Sequence, residues 1–286
     1  MRPCHLLSAR EFFLLLKPEE LKSILAQEPD LERYIRPYVG SDEFINNRPR
    51  YCIWLEGVDD ETINASPILR DRVRAVYEFR IASKAKTTNG YAKTPALMVQ
   101  RPQKQGVDFL MLPMTSGERR FYMPIGFMNK SVVANNNAFV IPDTTIYHFG
   151  ILISLTHNAW MRVVAGRLES RYRYSKEIVY NCFPWPTPTD EQRDLIEKCA
   201  QAILDARSNH EGDFLAQMYD GISPMPENPS KSDLKKYDQR KYDDLRDAHK
   251  ALDAAVEAAY GVNYNSDEEK IVAHLFKLYA AATKEA

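Results

Sequence analysis

Two different rhythms of apolar residues divide the 286-residue chain. After Thr189, the residues Leu195, Ile196, Cys199, Ala202, Ile203 and Ala206 recur at helical spacing, and Thr189 with Gln192 forms a capping box ahead of them. A second amphipathic helix is expected from about Lys241 to Tyr260, ending at Gly261, a residue suited to the left-handed position after a helix. A third carries Ile271, Val272, Leu275, Phe276 and Tyr279 behind a capping box of Ser266 and Glu269. Upstream the pattern is mixed. Ser66 followed by Pro67 opens a helix through Val73, Val76 and Tyr77, and Thr145 to Ala165 reads as one mostly buried helix. The short apolar runs "RYCIWLEG", "PALMVQ", "VDFLMLPM", "RFYMPIG", "AFVIPD" and "EIVYNCF" are candidate strands, several of them bounded by Pro, Gly or Asn. Pro184, Pro186 and Pro188 cannot sit inside a helix or a central strand, so a boundary is expected there. The expected class is α+β, with a mixed α/β domain over residues 1–186 and an all-helical domain over 187–286.

One stretch keeps a strict period of two. In "GRLESRYRYS" the charged residues Arg167, Glu169, Arg171 and Arg173 alternate with Leu168, Ser170, Tyr172 and Tyr174. If the whole stretch is extended, three arginines and one glutamate share a face.

Composition narrows the possibilities. With 44% hydrophobic residues a packed core is expected and wholesale disorder is not. No apolar run is long enough to cross a membrane. The N-terminal "MRPCHLLSAREFFLLLKPEE" lacks a small-residue cleavage site and reads as the start of a helix, not a signal peptide. The cysteines, Cys4, Cys52, Cys182 and Cys199, are widely spaced and form no metal-ligand pattern, which fits a reducing cytoplasm. The net charge of −1 hides an asymmetry: residues 1–186 carry +6 and residues 187–286 carry −7. The basic excess concentrates around the alternating stretch, where a local positive surface attracts phosphate.

Catalytic signatures are absent: there is no glycine-rich phosphate loop, no GxSxG and no HExxH. "DEEK" at Asp267–Lys270 contains an ExK fragment but opens a capped helix without a preceding PD strand, so it is set aside. Asp59 and Asp60 read as a solvated turn, and His157 as a packing residue. No catalytic or metal-ligating residue is assigned.

The chemistry that remains is recognition. An arginine fork matches guanine O6 and N7, and a glutamate accepts from cytosine N4, so Glu169 and Arg171 could read one G·C pair. Asn135, Asn136 and Asn137 could pair with adenine. Ser116, Arg119 and Arg120 in "TSGERRFY", with Arg167, Arg173 and Lys176, are the phosphate-binding candidates. The plainer readings are a solvated strand face and an asparagine turn.

The segments "YIRPYVGSDEFINNRPRYCIWLEG", "RRFYMPIGFM", "FGILISLTHNAWMRVVAGRLESRYRYSKEIVYNCFPWP" and "AHKALDAAVEAAYG" together resemble the C-terminal part of the MmeI-like (type IIL) restriction–modification enzymes, from about Leu31 to Tyr279. The resemblance implies a DNA target recognition domain followed by a helical C-terminal domain, within an adenine-N6 DNA methyltransferase. It implies that Glu169 and Arg171 occupy a coupled base-reading position, and that Asn137 and Ala138 lie in a second base-reading region. Duplex DNA and a methyltransferase domain, of the same or a companion polypeptide, are the implied partners. This chain is expected to hold no cofactor. S-adenosylmethionine, and Mg²⁺ if the parent cleaves, would belong to domains outside it. The alternatives are an interaction or specificity subunit that docks a separate methyltransferase through the acidic helices, and a self-sufficient nuclease whose carboxylates form no recognised motif.

Overall fold

The computed structural model describes residues 12–104, 106–236 and 240–284. The N-terminal helix start expected within residues 1–11, and Cys4, lie outside them. After a 3-10 turn at Phe12–Leu14 the chain forms β1 (Leu15–Leu16), α1 (Pro18–Gln27), β2 (Ile35–Val39), α2 (Ser41–Asn46), β3 (Tyr51–Ile53), α3 (Asp60–Ala65), α4 (Pro67–Ile81) and α5 (Lys86–Gly90). Five short strands follow: β4 (Phe109–Pro113), β5 (Thr115–Ser116), β6 (Gly126–Met128), β7 (Val133–Ala134) and β8 (Ala138–Pro142). Then come α6 (Ile146–Ile153), α7 (Leu155–Val164), β9 (Gly166–Leu168), β10 (Arg171–Arg173) and a single π turn at Lys176–Tyr180. The chain closes with α8 (Asp190–Ser208), α9 (Leu215–Gly221), α10 (Lys231–Lys236), α11 (Asp243–Ala259) and α12 (Glu268–Lys284). The α+β class expected from the sequence is the one observed.

Two compact units result. The first takes the described residues among those up to 43, 48–107 and 129–136. Its sheet has the order β1-β3-β2-β7, antiparallel except for the parallel β2–β7 pair. Leu14, Leu16, Ile53, Leu55, Leu69 and Val76 fill its core. Ser66 caps α4 as expected, its hydroxyl accepting from the Leu69 N–H at 3.1 Å. Arg80 is fully buried, and donates to the carbonyls of Tyr91, Thr94 and Leu97.

The second unit takes residues 44–47, 108–128 and everything described from 137 on. Its three-stranded sheets run β6-β4-β8 and β5-β10-β9. One apolar core joins Leu110 on β4, Phe149 on α6, Trp160 on α7, Ile196 on α8, Leu252 on α11 and Leu275 on α12. The core therefore runs straight through the proline segment at 184–188, and the break in packing falls instead near residue 107. Prolines interrupt hydrogen-bond ladders without preventing the flanking helices from packing together. Gly150 lets α6 lie close to α8: a Cβ there would stand 3.0 Å from Ile196 and 3.1 Å from Ala200.

The C-terminal helices begin and end near the expected places. Thr189 and Gln192 form the reciprocal capping box, and Gly261 adopts φ +70 after α11. At the last helix the cap shifts by one residue: Asp267, not Ser266, accepts from the N–H groups of Glu269 and Lys270 at 3.1 and 3.2 Å. The expected single helix over 145–165 is two. Ser154 is extended, its hydroxyl accepts from the His157 N–H at 3.4 Å, and it caps α7 one residue after α6 stops. Three expected strands fail. "PALMVQ" is irregular, "EIVYNCF" contains the π turn capped by Ser175, and "RFYMPIG" contributes only its glycine to β6. In the last case side chains replace the ladder: the Phe121 N–H donates to the Ser223 hydroxyl at 3.0 Å and the Met123 N–H to the Asn158 carbonyl oxygen at 2.8 Å.

Candidate nucleic-acid interface

The alternating stretch is not one extended segment. It is a hairpin: β9 and β10 pair antiparallel, with Leu168 opposite Arg171, Arg167 opposite Tyr172 and Gly166 opposite Arg173. Glu169 and Ser170 are the two-residue turn, and Glu169 takes the left-handed φ of +58. The reversal breaks the period-two reading. Directly opposed residues share a face of an antiparallel pair, so Arg171 and Arg173 lie on one side and Arg167 with Tyr172 on the other. The expectation that four charged side chains share one face is corrected accordingly.

The alternation does hold along β10 and past it: Arg171 and Arg173 are exposed, while Tyr172 and Tyr174 are buried. The two tyrosines root the hairpin. Tyr172 pairs with Ser116 of β5, and the Tyr174 N–H donates to the Met114 carbonyl at 2.9 Å. The Tyr174 hydroxyl meets His157 Nε2 at 3.1 Å, and His157 Nδ1 meets the Leu152 carbonyl at 2.9 Å. Burial pushes His157 down to about 4, so it is neutral at pH 7, with Nδ1–H donating to the carbonyl and Nε2 accepting from the tyrosine. His157 is the packing residue the sequence suggested.

At the hairpin tip the carboxylate of Glu169 accepts from Arg171 Nη2 at 2.9 Å. Both side chains are exposed, Glu169 at 78% and Arg171 at 47%, so this contact does little for stability and leaves both groups open to a ligand. An arginine offers five donors, and one bond to Glu169 leaves the others available. Arg173 and Lys176 are exposed, and their side chains have no ionic or hydrogen-bonded partner among the described residues.

The second candidate region lies beside the hairpin root. The Met114 N–H donates to the Asn137 carbonyl at 3.0 Å while the Met114 carbonyl takes the Tyr174 N–H, so Asn137 and the root of β10 flank the same residue. Asn137 is exposed and Ala138 is buried opposite Pro113. Asn135, by contrast, is buried in the first unit, against Gly40 and Glu43.

The remaining phosphate candidates separate. Arg119 is exposed, 3.7 Å from Asp233. Arg120 is not free on the basic face: it is half-buried and donates from Nε and Nη2 to one oxygen of Asp220 on α9, at 3.1 and 2.9 Å. Ser116 is also turned inward, its hydroxyl fully enclosed on β5. Two features had no signal in the sequence: the stacking of Arg167 on Tyr172, and the Asp220 partner of Arg120, one hundred residues away. Among the described residues no three His, Cys, Asp or Glu side chains are grouped to hold a metal, and no helix is long and apolar enough to cross a membrane. The ExK fragment is structural, with Asp267 capping α12 and paired to Lys270 at 3.0 Å.

Residues 9–187 match the family described as "MmeI, target recognition domain", and residues 188–239 and 228–286 match "MmeI, C-terminal domain". DNA methyltransferase A of Bacillus subtilis (strain 168) is 35% identical over 272 residues, which is 95% of this chain and 29% of that protein. A solved structure of the Type IIL restriction-modification enzyme MmeI in complex with DNA is similar at a TM-score of 0.84 and 40% identity, covering 95% of this chain and 34% of that one. The chain thus spans about a third of the length of these relatives.

Proposed function

The chain belongs to the MmeI family, and on that premise we propose that it is the sequence-specific duplex-DNA recognition module of an adenine-N6 DNA methyltransferase or restriction–modification enzyme. The observation that carries the reading is the exposed donor–acceptor pair at the hairpin tip, Glu169 with Arg171, held 2.9 Å apart. In a major groove Arg171 would donate to guanine and Glu169 would accept from the N4 amino group of cytosine, which fixes one orientation of a G·C pair. Arg173, Lys176 and Arg119, all exposed, are the proposed phosphate contacts, and the exposed Asn137 is the proposed side chain of a second base-reading region in which Ala138 is buried and supplies backbone alone. Arg120 is left out of the phosphate set because Asp220 occupies its guanidinium, and Ser116 because it is buried. Methyl transfer from S-adenosylmethionine, and any Mg²⁺-dependent cleavage, belongs to a methyltransferase or nuclease domain that this module directs.

The test is carried out in the full polypeptide. Glu169→Lys combined with Arg171→Asp exchanges donor and acceptor, so the preferred pair should change strands, from C·G to G·C. Either change alone removes on the order of 1–3 kcal/mol of discrimination. Sequencing of methylated adenines in the host genome reads the result. An unchanged motif in the double variant sinks base reading by this pair.

A further inference from the structure

We propose that Arg167 is a positioning residue for sequence readout: it holds the hairpin turn in the conformation that brings Glu169 onto Arg171, and it does not bind a phosphate. The inference rests on the base-reading assignment of that pair. Arg167 faces the opposite side of the hairpin from Arg171 and Arg173, because it is paired with Tyr172. Its guanidinium carbon lies 3.8 Å from the centroid of the Tyr172 ring, and that ring is anchored, only 8% exposed and paired to β5. From this platform Nη1 donates to the Ser170 carbonyl at 3.2 Å. The guanidinium is therefore braced on a ring set in the core and bonded to the second residue of the turn.

The turn needs such a brace. Two-residue hairpin loops with a left-handed first residue are ordinarily supplied by Gly, Asn or Asp, which adopt positive φ with little strain. Here the residues are Glu and Ser, and Glu169 stands at φ +58. Nothing intrinsic to this dipeptide holds it there, while the bond from Arg167 fixes the carbonyl immediately after it. When Glu169 leaves the left-handed region, its carboxylate moves off Arg171 and the two base-facing groups lose their fixed spacing. An arginine serves here because a planar group can stack and donate at once; a lysine ammonium can do only part of this.

Three variants of the full polypeptide test the assignment: Arg167→Ala, Arg167→Lys and, as a phosphate-contact control, Arg173→Ala. The wild-type target is first mapped from methylated adenines. Binding is then measured to a duplex carrying that target and to one with the edge G·C pair reversed, across a series of salt concentrations. Arg167→Ala should lower the ratio of the two affinities on the order of tenfold, leaving the slope of log K against log salt at the wild-type value. Arg167→Lys should lie between. A slope reduced by about one unit with discrimination intact would make Arg167 a phosphate contact and overturn the proposal. So would discrimination unchanged in both Arg167 variants. The Glu169→Lys, Arg171→Asp variant reports separately on the underlying reading: if it changes no base preference, the pair is not a reader, whatever Arg167 does. If Arg167→Ala melts well below wild type, the ratio for Arg167→Lys decides.

Discussion

Adjacent arginines in this chain have opposite fates, and the difference decides what each can do. In "GERR", Arg119 is exposed near Asp233 while Arg120 is sunk against Asp220. Arg120→Ala would strip the nearly buried Asp220 of its guanidinium, so we expect a loss on the order of 3 kcal/mol in unfolding free energy and no change in the salt dependence of DNA binding. Arg173→Ala should do the reverse, lowering the salt slope by about one unit and leaving stability within about 0.5 kcal/mol. Denaturant titration together with binding at several salt concentrations separates the two. Parallel loss of stability in both variants would contradict the assignment. The sequence could not tell these arginines apart, because the partner that buries Arg120 is on α9, far along the chain. It did put Arg171 and Arg173 on the face opposite Tyr172 and Tyr174, since that separation follows from local alternation alone.

Elements that carry their own end signals were legible, and those completed by distant side chains were not. Thr189 with Gln192, Ser66 with Pro67, and Gly261 announced helix boundaries through local hydrogen bonds. The hairpin was missed because Glu169–Ser170 lacks the residues that usually mark such a turn, and "RFYMPIG" was misread because its backbone is satisfied by Ser223 and Asn158. The same dependence on distant partners ties the helices together at Asp253. Its two oxygens accept from the Leu155 N–H at the start of α7 and from the Tyr122 hydroxyl, each at 2.7 Å. Burial nevertheless pushes this carboxyl up to about 7, against the pull of those two donors. Between the ordinary value of 3.8 and about 7 the folded chain holds a proton that the unfolded chain has lost. This group's contribution to stability therefore falls as pH rises through that window, and levels off above it. Asp253→Asn keeps both contacts, its oxygen accepting from Leu155 and its amide donating to the Tyr122 oxygen. Its melting temperature should vary less across this pH range than that of the wild type; an unchanged profile would show that Asp253 is ionised throughout. On the neighbouring turn-face of α11, Leu252 is fully buried, and Leu252→Asp should cost several kcal/mol and be seen as lost helix content by circular dichroism.

For the whole molecule, the boundary between family domains at residues 187 and 188 is not a boundary in packing. Leu110, Phe149 and Trp160 share a core with Ile196, Leu252 and Leu275 from beyond it. A chain cut after residue 187 loses one side of that core, so limited proteolysis should digest its second unit, where the longer chain resists. A protease-resistant product ending near 187 would show instead that the two parts fold separately. The acidic helices are thus a wall of the module that carries the basic hairpin. The hairpin tip itself stands outside this arrangement: every residue from Gly166 to Arg171 is exposed. Apart from Arg167, which stacks on the buried Tyr172 ring, replacements there spare the core; under the base-reading proposal, selection for folding and selection for a particular DNA word therefore act on largely different residues. If Glu169 and Arg171 read the edge pair as proposed, a lineage carrying this fold acquires a new target by changing two codons, with the ancestral scaffold inherited intact.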